Sequence, residues 1–195
     1  MNTTRVEAFS DGVLAILITI MVLEFKAPEG HTLESIQGLI PAFFSYSLSF
    51  IFLGIYWNNH HHLLKAAHSV NGKILWANLN LLFWLSLIPF ATSWIGETHF
   101  AGTPMALYGV TLLMPAISYW ILQHFILVDL GKNAAVSKAI GVDWKGKLSP
   151  VLCLLGILCS PYSQLLAGIF YVSVALIWLV PDRRIEKTIS EEPKV

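Results

Sequence analysis

Six long runs of apolar residues follow one another along the chain, with short polar connections between them. The runs cover residues 5–25, 39–64, 74–95, 105–128, 148–160 and 164–180. A helix that crosses a membrane needs about 20 mainly apolar residues, so we interpret the runs as transmembrane spans. The fifth is the shortest, and its length also fits a re-entrant segment. The pattern predicts an all-α integral membrane protein, with one six-helix domain at residues 1–181 and a charged cytoplasmic tail at residues 182–195.

The basic residues orient these spans. In a six-span arrangement the connections on one side carry eleven of the twelve lysines and arginines, and the opposite side carries only Lys26. The eleven are Arg5, Lys65, Lys73, Lys132, Lys138, Lys145, Lys147, Arg183, Arg184, Lys187 and Lys194. Because cytoplasmic loops of membrane proteins carry the excess of positive charge, we expect both termini in the cytoplasm. An even number of spans also places both termini on one side, so the two patterns agree.

Composition supports the same class of protein. The chain is 55% hydrophobic and 12% charged, whereas a soluble domain carries about 25% charged residues. Its formal net charge is zero, which gives no support for a nucleic-acid partner. The motifs of common hydrolases, metalloproteases and nucleotide-binding enzymes are absent from the sequence. We therefore expect a lipid-embedded protein that is not an enzyme and has no cofactor.

Polar residues of the first three spans meet at one depth near the cytoplasmic side. Amide, imidazole and carboxylate groups are costly to bury near lipid unless they bind one another. We therefore predict a hydrogen-bonded polar network that joins the three helices. Its predicted members are Arg5, Phe9, Ser10, Asp11, Trp57, Asn58, His60, His61 and Asn78.

Three consecutive histidines, His60 to His62, raise the question of a metal site. Successive residues of a helix point about 100° apart, so adjacent imidazoles on a regular helix do not converge on one ion. We expect no metal here. At least one of the three is expected to lie at the membrane–water interface instead.

The first span has a second notable face. Ile16, Thr19, Ile20 and Leu23 are spaced i, i+3, i+4 and i+7, so they lie on one side of the helix. Thr19 lies about 12 Å along the axis from Asp11, near the middle of the bilayer. On the residues alone, ordinary packing is the simpler interpretation, with the Thr19 hydroxyl bonded back to its own helix. One helix cannot enclose a channel, but several copies around a symmetry axis can.

Two motifs resemble the transmembrane protein 175 family of potassium channels. The first is Arg5-x-x-x-Phe9-Ser10-Asp11 at the head of an apolar helix, and the second is YWNNHH at residues 56–61. The similarity spans the whole six-helix length. The resemblance implies a homotetramer, because bacterial members have one six-helix unit per chain, whereas animal members have two units and dimerise. It also implies a multi-pass protein of the cell's inner (plasma) membrane.

The resemblance further implies a role for each residue of the first-span face. The family's pore is lined by the first helix, and its isoleucine constriction corresponds to Ile16. The next apolar layer of the family's pore corresponds to Leu23. Between these two apolar layers lies a threonine layer, which corresponds to Thr19, with Ile20 beside it. The expected function is a potassium-permeable cation channel with modest preference for K⁺ over Na⁺, since the chain lacks the TVGYG filter. Monovalent cations, lipid and further copies of the chain are the expected partners.

Two alternatives stay open on the sequence. The first is a proton-permeant leak or carrier that uses the inner histidines and Asp11. The second is a non-conducting membrane scaffold or enzyme subunit. The sequence shows no ligand-binding domain and no arginine-rich voltage sensor, so it does not indicate what opens a pore.

Overall fold

The computed structural model describes residues 2–28, 30–67, 69–131 and 144–179. Throughout these residues the regular secondary structure is helical, which confirms the predicted all-α class. The helices are α1 (Thr3–Leu23), α2 (Leu33–Gln37), α3 (Ile40–Ala66), α4 (Gly72–Leu85), α5 (Ile88–Glu97), α6 (Gly102–Leu130), α7 (Trp144–Cys159) and α8 (Gln164–Leu179). The predicted tail at 182–195 lies outside the described residues, as do six of the basic residues that oriented the spans: Lys132, Lys138, Arg183, Arg184, Lys187 and Lys194.

Four segments are long and apolar enough to cross a membrane. They are Thr3–Leu23, Ile40–Ala66, Gly72–Glu97 and Gly102–Leu130, and they correspond to the first four predicted spans. The sixth predicted span is α8, an apolar helix of 16 residues. The fifth is α7, which also has 16 residues and begins at Trp144, before the predicted start at residue 148.

The third span is interrupted, which the sequence analysis did not anticipate. Helix α4 ends at Leu85, Ser86 and Leu87 form a turn, and α5 begins at Ile88. Pro89 explains the break, because its ring lacks an N–H and would clash with the carbonyl of the residue four positions earlier, Leu85. The span therefore consists of two helices placed end to end.

Two clusters of buried apolar residues hold the bundle together. The first contains residues of α1, α3, α4 and α6, such as Leu14, Leu53, Leu81 and Leu122. The second contains residues of α3, α5, α6, α7 and α8 and is centred on Tyr108 and Tyr171. Helix α1 therefore packs on one side of the bundle, and the α7–α8 pair packs against α6 in the other cluster.

Contacts between helix ends show how the chain runs back and forth. At one end, Asn71 before α4 donates to Asp129 of α6, and Trp178 of α8 donates to Ser149 of α7. At the other end, Lys26 after α1 pairs with Glu97 of α5. Helix α6 thus runs opposite to α4, helix α8 runs opposite to α7, and α1 and α5 end on the same side.

Tyr171 is the central contact between α6, α7 and α8. Its side chain is 1% exposed, and its hydroxyl donates to the Met105 carbonyl at 3.1 Å. The ring packs over Gly156 of α7 and its hydroxyl lies against Gly109 of α6, so a Cβ on either glycine would overlap with it. The two glycines leave the space that this tyrosine fills.

We predict that Gly156→Ala destabilises the α7–α8 packing. The added methyl group would overlap the Tyr171 ring, and overpacking of this kind costs about 1–3 kcal/mol. The melting temperature of the detergent-solubilised protein should fall. Gly168→Ala is the matched control, since the nearest atom to its Cβ would be Met105 Cε at 3.9 Å; it should melt at or above the wild-type temperature. Equal melting temperatures for the two variants would contradict this packing.

Candidate functional site on the first helix

A buried chain of hydrogen bonds joins α1 to α4 and α3. Asn78 of α4 donates from Nδ2 to Ser10 Oγ at 3.0 Å, and its Oδ1 lies 2.6 Å from His60 Nε2 of α3. Ser10 donates in turn to the Val6 carbonyl at 2.8 Å. All three side chains are at most 1% exposed. Because Asn78 accepts through Oδ1, His60 carries its proton on Nε2 as the donor.

Two further contacts join the first turns of α1 to the last turns of α3. Trp57 donates its indole N–H to Asp11 Oδ1 at 3.1 Å. His61 Nδ1 contacts Glu7 Oε1, in a pair that is an ion pair when the imidazole is protonated. Glu7 was not among the residues predicted from the sequence. Its position one turn before Asp11 on the same helix would have been the signal.

The structure does not bring Arg5, Phe9 or Asn58 into this network. Helix geometry explains all three positions. Arg5 and Phe9 are exposed and point away from Ser10, by about 140° and about 100° around α1. Asn58 lies two residues from His60, hence about 160° away around α3. Among the described residues, no hydrogen bond or ion pair is formed by the side chains of Arg5 or Asn58.

The three adjacent histidines do not form a common site. His60 faces Asn78, whereas His61 faces Glu7. Within the described ranges, no group of three or more His, Cys, Asp or Glu side chains is placed to hold a metal ion.

The face of α1 opposite this network is largely exposed in the subunit. Ile16 is 56% exposed and Leu23 is 78% exposed, and Thr19 and Ile20 between them are also exposed. On the other side of the same helix, Leu14 and Met21 are each 2% exposed. We call the first set, Ile16, Thr19, Ile20 and Leu23, the α1 stripe.

The Thr19 hydroxyl has a defined orientation. It donates to the Ile16 carbonyl at 2.9 Å, the back-bond expected of an isolated threonine in an apolar helix. A hydroxyl has one hydrogen and two acceptor lone pairs. The bond uses the hydrogen, so the oxygen remains an acceptor on the exposed side of the helix.

The C-terminal end of α1 is attached separately. Glu24 accepts from Ser93 of α5 at 3.1 Å, and Lys26 pairs with Glu97 at 3.4 Å. Both pairs are exposed, so each contributes little to stability by itself. Together with the polar network they attach α1 to the bundle at both ends.

Comparison with known proteins places the chain in a family. A potassium channel from Chryseobacterium sp. (strain P1-3) is 54% identical to it over 191 residues, which are 98% of this chain and 100% of that protein. The family described as "Endosomal/lysosomal potassium channel TMEM175" matches residues 5–89. The chain belongs to the TMEM175 family. The resemblance read from the two sequence motifs is thereby confirmed.

A solved TMEM175 structure and a vertebrate relative extend the comparison. The crystal structure of a lysosomal potassium-selective channel TMEM175 homolog from Chamaesiphon minutus matches with a TM-score of 0.79 and 27% identity, over 92% of this chain and 97% of that chain. The Gallus gallus protein named endosomal/lysosomal proton channel TMEM175 is 29% identical over 103 residues, 47% of this chain and 21% of that protein. The related proteins are named as channels, and none of these names describes an enzyme.

The TMEM175 match covers both halves of the candidate site. Residues 5–89 include α1 from Arg5 onward and all of α3 and α4, and so contain the Ser10–Asn78–His60 chain as well as the α1 stripe. Helices α6, α7 and α8 lie beyond the matched residues. The part of the chain that carries the family signature is thus the part that fixes α1 and leaves its stripe exposed.

We predict that Asn78→Leu destabilises the protein much more than Asn58→Leu does. Loss of the Asn78 amide leaves His60 buried without its partner, and a buried unpaired polar group costs about 1–3 kcal/mol. Asn58 is the matched control, since it is the same residue type in the same region and has no hydrogen bond in the described part of the chain. Thermal unfolding in detergent measures both variants. Equal losses of thermal stability in Asn78→Leu and Asn58→Leu would contradict the stabilising role of the buried hydrogen-bond chain.

Proposed function

We propose that this protein is a potassium-permeable cation channel whose pore is lined by α1. The observation that carries the proposal is the contrast between the two faces of that helix. One face is bonded to α4 by the buried Ser10–Asn78 hydrogen bond and to α3 by the Trp57–Asp11 and His61–Glu7 contacts, and the opposite face presents an apolar stripe with a single hydroxyl layer to the outside of the subunit. Membership of the TMEM175 family, with potassium channels among its relatives, supports this reading.

The pore requires more than one chain. We propose a homotetramer in the plasma membrane in which four copies of the α1 stripe face a common axis, as closed symmetry favours. Each subunit contributes six passes, α1, α3, α4–α5, α6, α7 and α8, with both termini in the cytoplasm. The opposite directions of α4 and α6 and of α7 and α8, together with the distribution of basic residues, support this arrangement.

Rings of Ile16 and Leu23 would form two apolar constrictions. Seven residues separate them, which is about 10 Å along a helix. A narrow apolar passage excludes water, so an ion that enters it loses hydration without gaining ligands. In the closed channel, the cost of removing an ion's hydration shell at these constrictions would therefore prevent permeation, without a charged group that blocks the pore.

A ring of Thr19 hydroxyls lies between these constrictions in the proposed pore. Because each hydroxyl hydrogen is held by the Ile16 carbonyl, its oxygen is free to ligate a partly dehydrated cation. Neutral oxygens replace the hydration of K⁺ more readily than that of Na⁺, which holds its water more strongly. Ile20, beside Thr19, narrows this layer. The expected selectivity is modest, since one hydroxyl layer offers far fewer ligands than a carbonyl-lined filter.

Proton permeation is the second candidate. The Gallus gallus relative is named a proton channel, and Glu7, Asp11 and His61 lie together at the cytoplasmic end of α1. Flux that follows a pH gradient and ignores a potassium gradient would favour this alternative. Flux that follows potassium at constant pH favours the channel proposed above.

We predict that Ile16→Asn increases potassium flux. An amide side chain at the constriction would hold water there and lower the barrier; a reduction of about 1.4 kcal/mol corresponds to a tenfold rise. The measurement is potassium efflux from potassium-loaded liposomes that contain the purified protein. Ile169→Asn on α8 is the control, because Ile169 is similarly exposed in the subunit but lies outside the proposed pore. A pore elsewhere would be indicated if Ile16→Asn left flux unchanged.

We predict that Thr19→Ala reduces the preference for K⁺ over Na⁺. The loss of one weak oxygen ligand per subunit should lower the permeability ratio by about twofold to tenfold, the range that corresponds to a net hydrogen bond. Reversal potentials under bi-ionic conditions measure the ratio. Thr19→Ser keeps the hydroxyl and should keep most of the preference. An unaltered reversal potential in Thr19→Ala would show that the hydroxyl layer does not select.

A further inference from the structure

An open groove runs between α4 and α6 on the surface of the subunit. Its volume is about 490 Å³, which lies within the range of about 300–1,000 Å³ that is typical of ligand sites. Two hydrogen bonds join the helices along it. Asn80 donates to Ser118 at 2.8 Å, and Asn71, at the end of the groove, donates to Asp129 at 3.1 Å. These bonds hold the two walls of the groove at a fixed spacing.

The groove begins at one surface of the membrane and extends toward its interior. Its lining starts in the first turn of the span Gly72–Glu97 and reaches the last turns of the span Gly102–Leu130. The ends of spans lie at the level of the lipid headgroups, where tryptophan is enriched, and Trp76 lines the groove with 74% of its side chain exposed. Phe125 and Ile121 line it at increasing depth. A phospholipid has the same order of groups, with a polar head followed by apolar chains.

Two opposite charges lie at the mouth of the groove. Lys73 is exposed and lines the groove, and its ammonium forms no ion pair within the described residues. Asp129 lies one turn beyond Phe125 on the same face of α6. Its carboxylate is linked to the Lys73 backbone N–H through the side chain of Asn71. Asn71 and Ser69 donate to this carboxylate, but its two oxygens have about four acceptor sites, so it can accept further hydrogens.

These two charges complement a zwitterionic headgroup that carries a phosphate and a primary ammonium. The Lys73 ammonium donates to phosphate oxygens, and a primary ammonium, with three N–H donors, donates to the Asp129 carboxylate. The quaternary ammonium of phosphatidylcholine has no N–H to donate. Phosphatidylglycerol carries no cation, so its phosphate would lie near the Asp129 carboxylate with nothing to offset the repulsion.

We propose that this groove binds phosphatidylethanolamine, with the phosphate on Lys73, the ammonium on Asp129 and an acyl chain along Trp76, Ile121 and Phe125. The indole N–H of Trp76 makes no hydrogen bond within the described residues and is available to a phosphate or ester oxygen of the lipid. The groove lining contains no residue of the α1 stripe. The proposal therefore does not depend on the proposed channel.

Native mass spectrometry of the detergent-solubilised protein tests the proposal. The probes are phosphatidylethanolamine, phosphatidylcholine and phosphatidylglycerol with the same palmitoyl and oleoyl chains, so that only the headgroup differs. We expect the wild type to bind the ethanolamine lipid about threefold to tenfold more tightly than either of the others, the range that corresponds to a net hydrogen bond. Equal binding of the three lipids would show apolar contact without headgroup recognition and would overturn the proposal. A preference for the choline or the glycerol lipid would also overturn it.

Two substitutions separate the roles of the two charges. Asp129→Asn keeps an oxygen that can accept from Asn71 but removes the charge, so it should abolish the preference for the ethanolamine lipid without weakening binding of the glycerol lipid. Lys73→Gln removes the partner of the phosphate and should weaken binding of all three lipids. Lys147→Gln is the matched control, since Lys147 is an exposed lysine near the start of α7 and does not line the groove. A preference that survives Asp129→Asn, or equal lipid binding by Lys73→Gln and Lys147→Gln, would overturn the assigned contacts.

Discussion

The rotation of α1 about its own axis is the constraint on which the rest of the structure depends. The buried Ser10–Asn78 hydrogen bond sets that rotation, because a turn of α1 by one residue would move Ser10 away and leave the Asn78 amide N–H without its acceptor in an apolar bundle. Apolar packing alone would specify the rotation weakly, since α1 is apolar on nearly every side. The hydrogen bonds determine which face of α1 packs against the bundle, and the α1 stripe lies on the face that stays exposed.

In the proposed channel the subunit is incomplete by itself, because the exposed α1 stripe lines a pore only when several copies face one axis. The subunit has a well-packed interior around Leu81 and Tyr171. The α7–α8 pair packs against α6 through Gly109 and Gly156. It belongs to the second apolar cluster, whereas α1 belongs to the first. In the proposed channel α1 would line the ion pathway, α3 and α4 hold α1 in place, and α6, α7 and α8 form the second packed cluster with α3 and α5.

Sequence reasoning succeeded where burial cost dictates the outcome. The first four spans follow from hydropathy, and the meeting of Ser10, His60 and Asn78 follows from the high cost of leaving such groups alone near lipid. The direction in which each side chain points around its helix could not be predicted. Asn58 is as polar as Asn78, and only the rotation of α3 about its axis turns Asn58 away from the network. Glu7 was missed since it precedes the apolar run and looks like a solvated helix start. The break at Ser86 and Leu87 could have been predicted from Pro89.

The most direct test of the central claim is the position of α1 in the assembled particle, determined by electron cryomicroscopy of the protein in lipid nanodiscs. We expect four subunits around one axis, with Ile16 and Leu23 of each subunit facing that axis and Ser10 facing α4 of its own subunit. A particle in which the α1 stripe lies against lipid, or in which α1 is rotated so that Ser10 faces the axis, would contradict it.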